Sequence, residues 1–321
     1  MKWKNIVKCD TNRKHYELFI SLILFFVCDT AGHLHNDKPC GVVASDHAIH
    51  QHPWLVVLEY HYKYYSGGIR CAGALITSRH IITAAHCVVL GMFPIIMLPR
   101  LGEYNMSSDP DCEGNICADP PVRMVIQKIF VHPGFRKNRK LSGNDLAILM
   151  LEAEAPYTDF IRPVCLPSGI LDDQTLFYAS GFGATPYDVN FSEVKKNIPV
   201  PYYPNCWKIY RYLAKDFICA GGVTDFDTCS GDSGGPLVRM GERFEIWGVT
   251  KGGHSICGSQ GVPGLYTSVM YHLDWMNKII DMTRNKTRND HKNLGLRRSG
   301  SIFLLVISYS LSLQYLYKHF E

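Results

Sequence analysis

Residues 231–236 read Gly231-Asp232-Ser233-Gly234-Gly235-Pro236, a serine on a turn so rich in glycine that backbone amides can close around whatever the hydroxyl attacks. The outline is that of a serine nucleophile whose oxyanion hole is formed by the amides of Gly231 and Ser233. A serine hydroxyl is a poor nucleophile at neutral pH, so the turn implies a base and an orienting carboxylate elsewhere in the chain. Upstream, Ile82-Thr83-Ala84-Ala85-His86-Cys87 ends an apolar run with a histidine beside a cysteine. Between them, Gly143-Asn144-Asp145-Leu146-Ala147-Ile148-Leu149 opens another apolar run with an aspartate. The chain order is therefore His, Asp, Ser.

In this order, the contexts TAAHC, NDLAIL and GDSGGP resemble those of trypsin-like serine proteases of the chymotrypsin type. The likeness extends from about Pro53-Trp54 to Trp275. Cys112 and Cys117 in an Asp-rich loop, followed by Asp119-Pro120-Pro121, further resemble the catalytic domains of arthropod clip-domain proteases, although no clip domain is expected ahead of this one. The resemblance implies an all-β fold: two six-stranded antiparallel β-barrels with a C-terminal α-helix. It places His86 and Asp145 on the first barrel, Ser233 on the second and the site in the cleft between them.

The residues themselves support part of this. Apolar runs punctuated by Gly, Pro and Asn recur at 54–60, 72–83, 95–101, 122–131, 146–151, 176–180, 198–202, 236–238, 244–250 and 265–269. Strands of this length and spacing argue a barrel or sandwich. Over 271–280, Leu273, Met276 and Ile280 fall at helical intervals. A boundary between barrels is expected near 161–167, where Pro163 and Pro167 interrupt strand pairing.

A chain of 321 residues, 46% hydrophobic and 19% charged, has an ordinary globular composition, and a net charge of +4 gives no reason to expect a nucleic-acid partner. Residues 18–28 (LFISLILFFVC) form an apolar run behind Lys2, Lys4, Lys8, Arg13 and Lys14, with small residues at 30–32. This reads as a secretory signal peptide over 1–31, too short for a spanning anchor. A short pro-segment at 32–41 and a protease domain at 42–281 would follow. Removing the leader removes Cys9 and Cys28 and leaves ten cysteines, an even number suited to an oxidising, extracellular compartment. Spacing does not fix their pairing. The resemblance implies Cys71 with Cys87, Cys206 with Cys219, Cys229 with Cys257, Cys112 with Cys117, and Cys40 with Cys165.

Residues 282–321 combine a basic linker with a serine-interrupted apolar stretch at 301–317. A membrane anchor calls for a longer or more apolar run, and a glycolipid signal for a polar spacer that Ser299-Gly300-Ser301 lacks. The preferred reading is a disordered or loosely docked tail, with membrane attachment the lesser one.

The resemblance also assigns chemistry. Ser233 attacks the peptide carbonyl, His86 takes its proton and returns it to the leaving amine, and Asp145 holds the imidazole. Asp227 matches the carboxylate at the bottom of a pocket that selects Arg or Lys, with Gly253 and Gly264 on its walls. Asp232 matches the residue that pairs with a new amino terminus after cleavage, and Val42 is the candidate terminus. Gly41 stands before it, and Lys38 is followed by Pro39, so a trypsin-like activating cut is not encoded. Either another protease cuts or the domain stays zymogen-like. In Gly248-Val249-Thr250-Lys251-Gly252-Gly253, Lys251 and Gly252 replace the family's serine and aromatic residue. A lysine there would pair with Asp145 or obstruct the cleft.

Smaller signals remain. His33, His35, His47, His50 and His52 crowd one segment without implying a ligand geometry. Glu103, Asp109, Asp111 and Glu113 occupy a loop that binds calcium in some relatives, though an acidic solvated loop is preferred and no cofactor is expected. Asn105, Asn190 and Asn285 begin glycosylation sequons. Protein substrates and protein inhibitors are the expected partners. The expected function is a secreted endopeptidase cutting after Arg or Lys, with an extracellular cascade as its setting. The alternative is a weakly active or inactive homologue that binds a partner.

Overall fold

The computed structural model describes residues 40–62, 66–89, 95–137, 141–184, 191–224, 227–252 and 257–284. The leader at 1–31, residues 32–39 of the pro-segment, Asn190, Gly253, Asn285 and the tail from 285 onward lie outside the described residues.

The first six residues of Leu55–Tyr62 (β1) are buried on both faces, as befits a strand lining a barrel on one side and covered on the other. It pairs with Ser66–Thr77 (β2), which turns at Ser78-Arg79 into His80–Thr83 (β3). Ile95–Leu101 (β4) lies on the other side of β1. The hairpin Cys112–Glu113 (β5) and Ile116–Cys117 (β6) projects from the loop that follows. Val122–Arg123 (β7), Ile126–Val131 (β8) and Ala147–Leu151 (β9) complete an antiparallel sheet in the order β7-β4-β1-β2-β3-β9-β8. Its two end strands are consecutive in the chain, and between them the Met124 amide donates to Pro99 of β4 at 2.8 Å. The sheet therefore curls round on itself. The single run expected at 122–131 is one barrel strand broken into β7 and β8.

The second sheet comprises Leu176–Gly181 (β10), Lys196–Pro201 (β11), Phe217–Gly221 (β12), Pro236–Arg239 (β13), Glu245–Gly252 (β14) and Pro263–Ser268 (β15). Its order is β11-β10-β13-β14-β15-β12, and an antiparallel bridge from Tyr202 to Ala220 brings its two edges together. Two curled antiparallel sheets match the chymotrypsin-type architecture expected.

Trp54, Leu58, Tyr60, Ile81, Ile82, Leu146 and Ile148 fill the first core, and Phe177, Val200, Leu237, Trp247 and Tyr266 the second. Each fully buried aliphatic side chain of this kind contributes about 1.5–3 kcal/mol. The last described residues, 273–284, form a helix. Its buried Met276, Ile279 and Ile280 extend the first core, while Leu273 is half-buried against it. His80 Nε2 meets Thr283 Oγ1 at 2.9 Å and ties the helix to β3.

All five disulfides join the pairs that the resemblance implies: Cys40–Cys165, Cys71–Cys87, Cys112–Cys117, Cys206–Cys219 and Cys229–Cys257. Bridges of this kind contribute about 2–4 kcal/mol each.

Candidate active site

His86 sits in the single helical turn Ala85–Val88 (α1) that caps β3, and the Cys71–Cys87 bridge fastens that turn to β2. Both sulfurs are consumed by the bridge, so the two cysteines beside His86 offer no thiolates to a metal. Asp145 precedes β9 and is almost completely buried. Gly143 and Asn144 before it have φ of +71° and +57°, the left-handed region that glycine and asparagine tolerate. The Asp145 carboxylate grips the histidine twice. Oδ1 accepts the His86 amide at 2.8 Å, and Oδ2 lies 2.7 Å from Nδ1. That contact fixes the ring orientation and directs Nε2 away from the carboxylate.

Ser233 comes from the other sheet. Its carbonyl accepts the Ala72 amide of β2 at 2.8 Å and lies 3.6 Å from the sulfur of Cys87, next in sequence to His86. Gly234 (φ +80°) packs so tightly that a Cβ there would collide with Thr83 Oγ1 and the Ala72 carbonyl. Its amide donates to Thr250 of β14 at 2.7 Å. Without a side chain at 234, the serine turn of one barrel nests against residues 83–84 of the other, one residue short of His86. The turn, His86 and Asp145 are thus brought together.

Gly231, at φ +102°, is covered by the ring of Phe191, with which any Cβ at 231 would overlap. Nothing in the sequence singles out Phe191. Among the described residues, the amides of Gly231 and Ser233 have no backbone acceptor. Asp232 is buried beneath them, accepting the Gly183 amide at 2.8 Å and the Cys229 amide at 2.9 Å. Gly181 and Gly183 both face its carboxylate, where a Cβ would collide. Burial pushes the Asp232 carboxyl up to about 6, and no cation among the described residues pairs with it. Val42 is half-buried and still joined to Gly41, which donates to Pro163 at 2.8 Å and accepts from Phe244 at 2.9 Å. Among the described residues, no hydrogen bond or ion pair joins Val42 to Asp232 in the uncut chain.

Asp227 is buried, with its Oδ1 accepting the Thr228 amide at 2.8 Å. A Cβ on Gly264 would stand 2.7 Å from the same oxygen, so Gly264 opens the space in front of this carboxylate. Burial, with a smaller contribution from the charge of Asp232, pushes Asp227 up to about 6. The structure places Asp227 and Gly264 face to face; Gly253 lies outside the described residues.

Of the two arrangements open for Lys251, the structure adopts the ion pair. A register shift in β14 between Thr250 and Gly252 makes Lys251 a bulge residue, and its ammonium meets Asp145 Oδ2. A bulge re-aims a side chain in this way. Burial raises the Asp145 carboxyl, but the hydrogen bond and charge of His86 and the ammonium of Lys251 outweigh it and hold the group below its ordinary value.

Sequence reasoning missed a second buried pair. His272 Nε2 lies 2.9 Å from Asp216 Oδ2, which also accepts the Asn144 amide at 2.6 Å. Gly143 packs on the same carboxylate, so Asp216, just ahead of β12, holds the turn that carries Asp145. Neither residue sits in a motif.

The remaining candidates scatter. Asp111 accepts the amides of Tyr104 and Asn105 at 3.0 and 2.9 Å, Glu103 pairs with Arg100, and Glu113 accepts the Ile49 amide at 2.7 Å. Burial pushes Glu103 up to about 7 and the neighbouring Lys195 down to about 8. The acidic loop is thus satisfied from within the protein, while Asp109 is exposed. His50 meets Ser45 at 2.7 Å, whereas His52 is buried, edge-on to Trp54 and pushed down to about 4 by burial. His47, His50 and His52 do not converge on one point, and His33 and His35 lie outside the described residues. The sequon residue Asn105 is half-buried. No described helix is long and apolar enough to cross a membrane.

The protein family described as Trypsin matches residues 42–276. Phenoloxidase-activating enzyme 1 of Spodoptera litura is 34% identical over 262 residues, covering 78% of this chain and 68% of that protein. CLIP domain-containing serine protease HP8 of Bombyx mori is 35% identical, covering 76% and 72% respectively. CLIP domain-containing serine protease B4 of Anopheles gambiae is 36% identical, covering 75% and 72%. Similarity over most of the length, on a fold that brings the His, Asp and Ser segments to one cleft, makes the chain a member of the trypsin family of serine endopeptidases.

Proposed function

We propose that this endopeptidase is exported and cuts protein substrates after Arg or Lys, with Ser233 as nucleophile, His86 as general base and acid, and Asp145 as the orienting carboxylate. The observation that carries the reading is the 2.7 Å contact between His86 Nδ1 and Asp145 Oδ2, with the Gly234 turn seated against residues 83–84. It leaves Nε2 as the nitrogen available to a hydroxyl, which triad chemistry requires. The amides of Gly231 and Ser233 would receive the oxyanion, each such donor being worth about 3–4 kcal/mol of barrier.

Asp227 would sit beneath a basic side chain, paired with it by charge-assisted hydrogen bonds. Gly253 and Gly264 would leave room for its length. Cleavage at Val42 would release an ammonium for Asp232, the buried carboxylate that has no cation partner among the described residues. The preceding segment would stay attached through Cys40–Cys165. Relatives named phenoloxidase-activating enzymes and factors support a role in activating another protein within an extracellular cascade.

Fluorophosphonate labelling of the full chain, before and after a cut at Val42, tests the proposal. Ser233 should be labelled after the cut, and labelling in neither state, with the fold intact, refutes the enzyme. The competing reading, a binding protein with an idle site, draws on the Lys251–Asp145 pair and on Gly41, which offers no basic residue for an activating cut.

A further inference from the structure

Lys251 adds a charge that triad chemistry does not call for. Its ammonium sits on Asp145 Oδ2, the same oxygen that lies 2.7 Å from His86 Nδ1. Asp145 is sealed from solvent and Lys251 is largely covered, so water screens this arrangement little. Among the described residues, the titratable groups facing the Asp145 carboxylate are His86 from α1 and Lys251 from β14. From β15, Thr267 donates its hydroxyl to the Asp145 backbone carbonyl at 3.2 Å. On the carboxylate's own loop, the Asn144 amide is taken by Asp216. One carboxylate therefore answers two partners, the Lys251 ammonium and the His86 imidazole.

We propose that Lys251 is a positioning residue of the triad that, by neutralising Asp145 in the resting site, sets the lower pH limit at which His86 remains a competent base. The inference rests on the protease reading of the same site. A carboxylate stabilises an imidazolium, and a neighbouring ammonium withdraws that stabilisation through like-charge repulsion. With Lys251 in place, the neutral, proton-accepting imidazole persists to lower pH. The counterpart is a slower plateau, because the imidazolium that forms as Ser233 gives up its proton is stabilised less. The bulge at Lys251 supports a fixed arrangement, since it is the irregularity in β14 that turns this side chain toward the carboxylate.

The test compares wild type with Lys251→Ser, Lys251→Met and Lys251→Arg in the full chain, following the His86 ring by NMR and assigning it by difference from His86→Gln. Loss of the charge in Ser or Met should raise the midpoint of His86 protonation by about one to two pH units, the reach of a charge at this range. Lys251→Arg should keep the wild-type midpoint, which a purely packing role would not predict. After a cut at Val42, the acid limb of kcat/KM should move up by the same interval. Coincident midpoints for wild type, Ser and Met overturn the inference. The NMR reading needs no activity, so it judges the lysine even if Ser233 is never labelled, an outcome that counts against the protease reading instead.

Discussion

The imidazole of His272 and the carboxylate of Asp216 meet 2.9 Å apart, both buried, directly behind the turn that carries Asp145. The oxygen that accepts from His272 also accepts the Asn144 amide at 2.6 Å, so one carboxylate links the start of β12, the last turn before the C-terminal helix, and the Asp145 loop. Asp216→Ala would strand a buried histidine and an amide, and removing one partner of a buried pair typically costs about 3–5 kcal/mol. Urea unfolding should show a loss of that size, together with reduced turnover as Asp145 shifts. A loss below about 1 kcal/mol, the range of an exposed pair, with normal turnover would refute the clasp.

The same pair has a signed pH dependence. Burial would raise the Asp216 carboxyl, but the hydrogen bond of His272 and the Asn144 amide outweigh it and hold the group below its ordinary value. A depressed carboxylate contributes stability above its unfolded-state value and loses it as pH falls through the folded one. Wild type and Asp216→Asn should therefore differ most above about pH 4 and converge in stronger acid. A constant difference down to low pH would place the effect elsewhere.

Asp232 works in the opposite sense. Its carboxyl is raised to about 6 in the uncut chain, so its favourable contribution is present below the unfolded-state value and lost as pH rises through about 6. Asp232→Asn should gain about 3 kcal/mol on the uncut wild type as pH rises from 4 to 8, and abolish activity after a cut at Val42. Thermal unfolding at pH 4 and pH 8, with and without the cut, measures both. Equal gains at the two pH values would remove the buried-charge explanation.

Gly234→Ala tests how the two barrels meet. The added methyl would strike Thr83 Oγ1 and the Ala72 carbonyl, at a backbone φ of +80° that alanine resists. Turnover should fall by about a hundredfold or more, as misplacement of a nucleophile by about 1 Å does, with a smaller effect on KM. Normal turnover would mean that the serine turn is held by other contacts.

Asp227→Ser should cost about a hundredfold in kcat/KM for Arg and Lys substrates, the scale of a lost charge-assisted pair near 3 kcal/mol, and should spare small apolar ones. Competition assays with peptide libraries give the ratio directly. Unchanged preference for basic residues would move the selecting carboxylate elsewhere.

Much of this molecule is written locally. The serine turn, the histidine next to a cysteine and the aspartate opening a strand could be read from contiguous residues, because turn amides and chain neighbours supply what such groups need. The pairing of ten cysteines followed from the resemblance, and the strands of both sheets followed from short apolar runs between turn residues. The break between β7 and β8 did not, since Met124 and Val125 continue an apolar run, and only the Met124 amide turning to Pro99 interrupts it.

Ancestry, strand content and the identities of the candidate triad were determined by sequence, since each rests on which residues are adjacent. Which partners a buried carboxylate keeps was decided only by tertiary structure. Asp145 takes Lys251 because a bulge in β14 turns that side chain inward, and Asp216 takes His272 from 56 positions away because the start of β12 lies against the end of β15, where the Ser268 amide donates to the Asp216 carbonyl. Asp232 stands in the serine motif, but that the amides of Gly183 and Cys229 hold it, with no cation among the described residues, came only from the packing. Desolvated charge must find compensation through space, and packing across the two barrels, not order along the chain, determines what lies within reach.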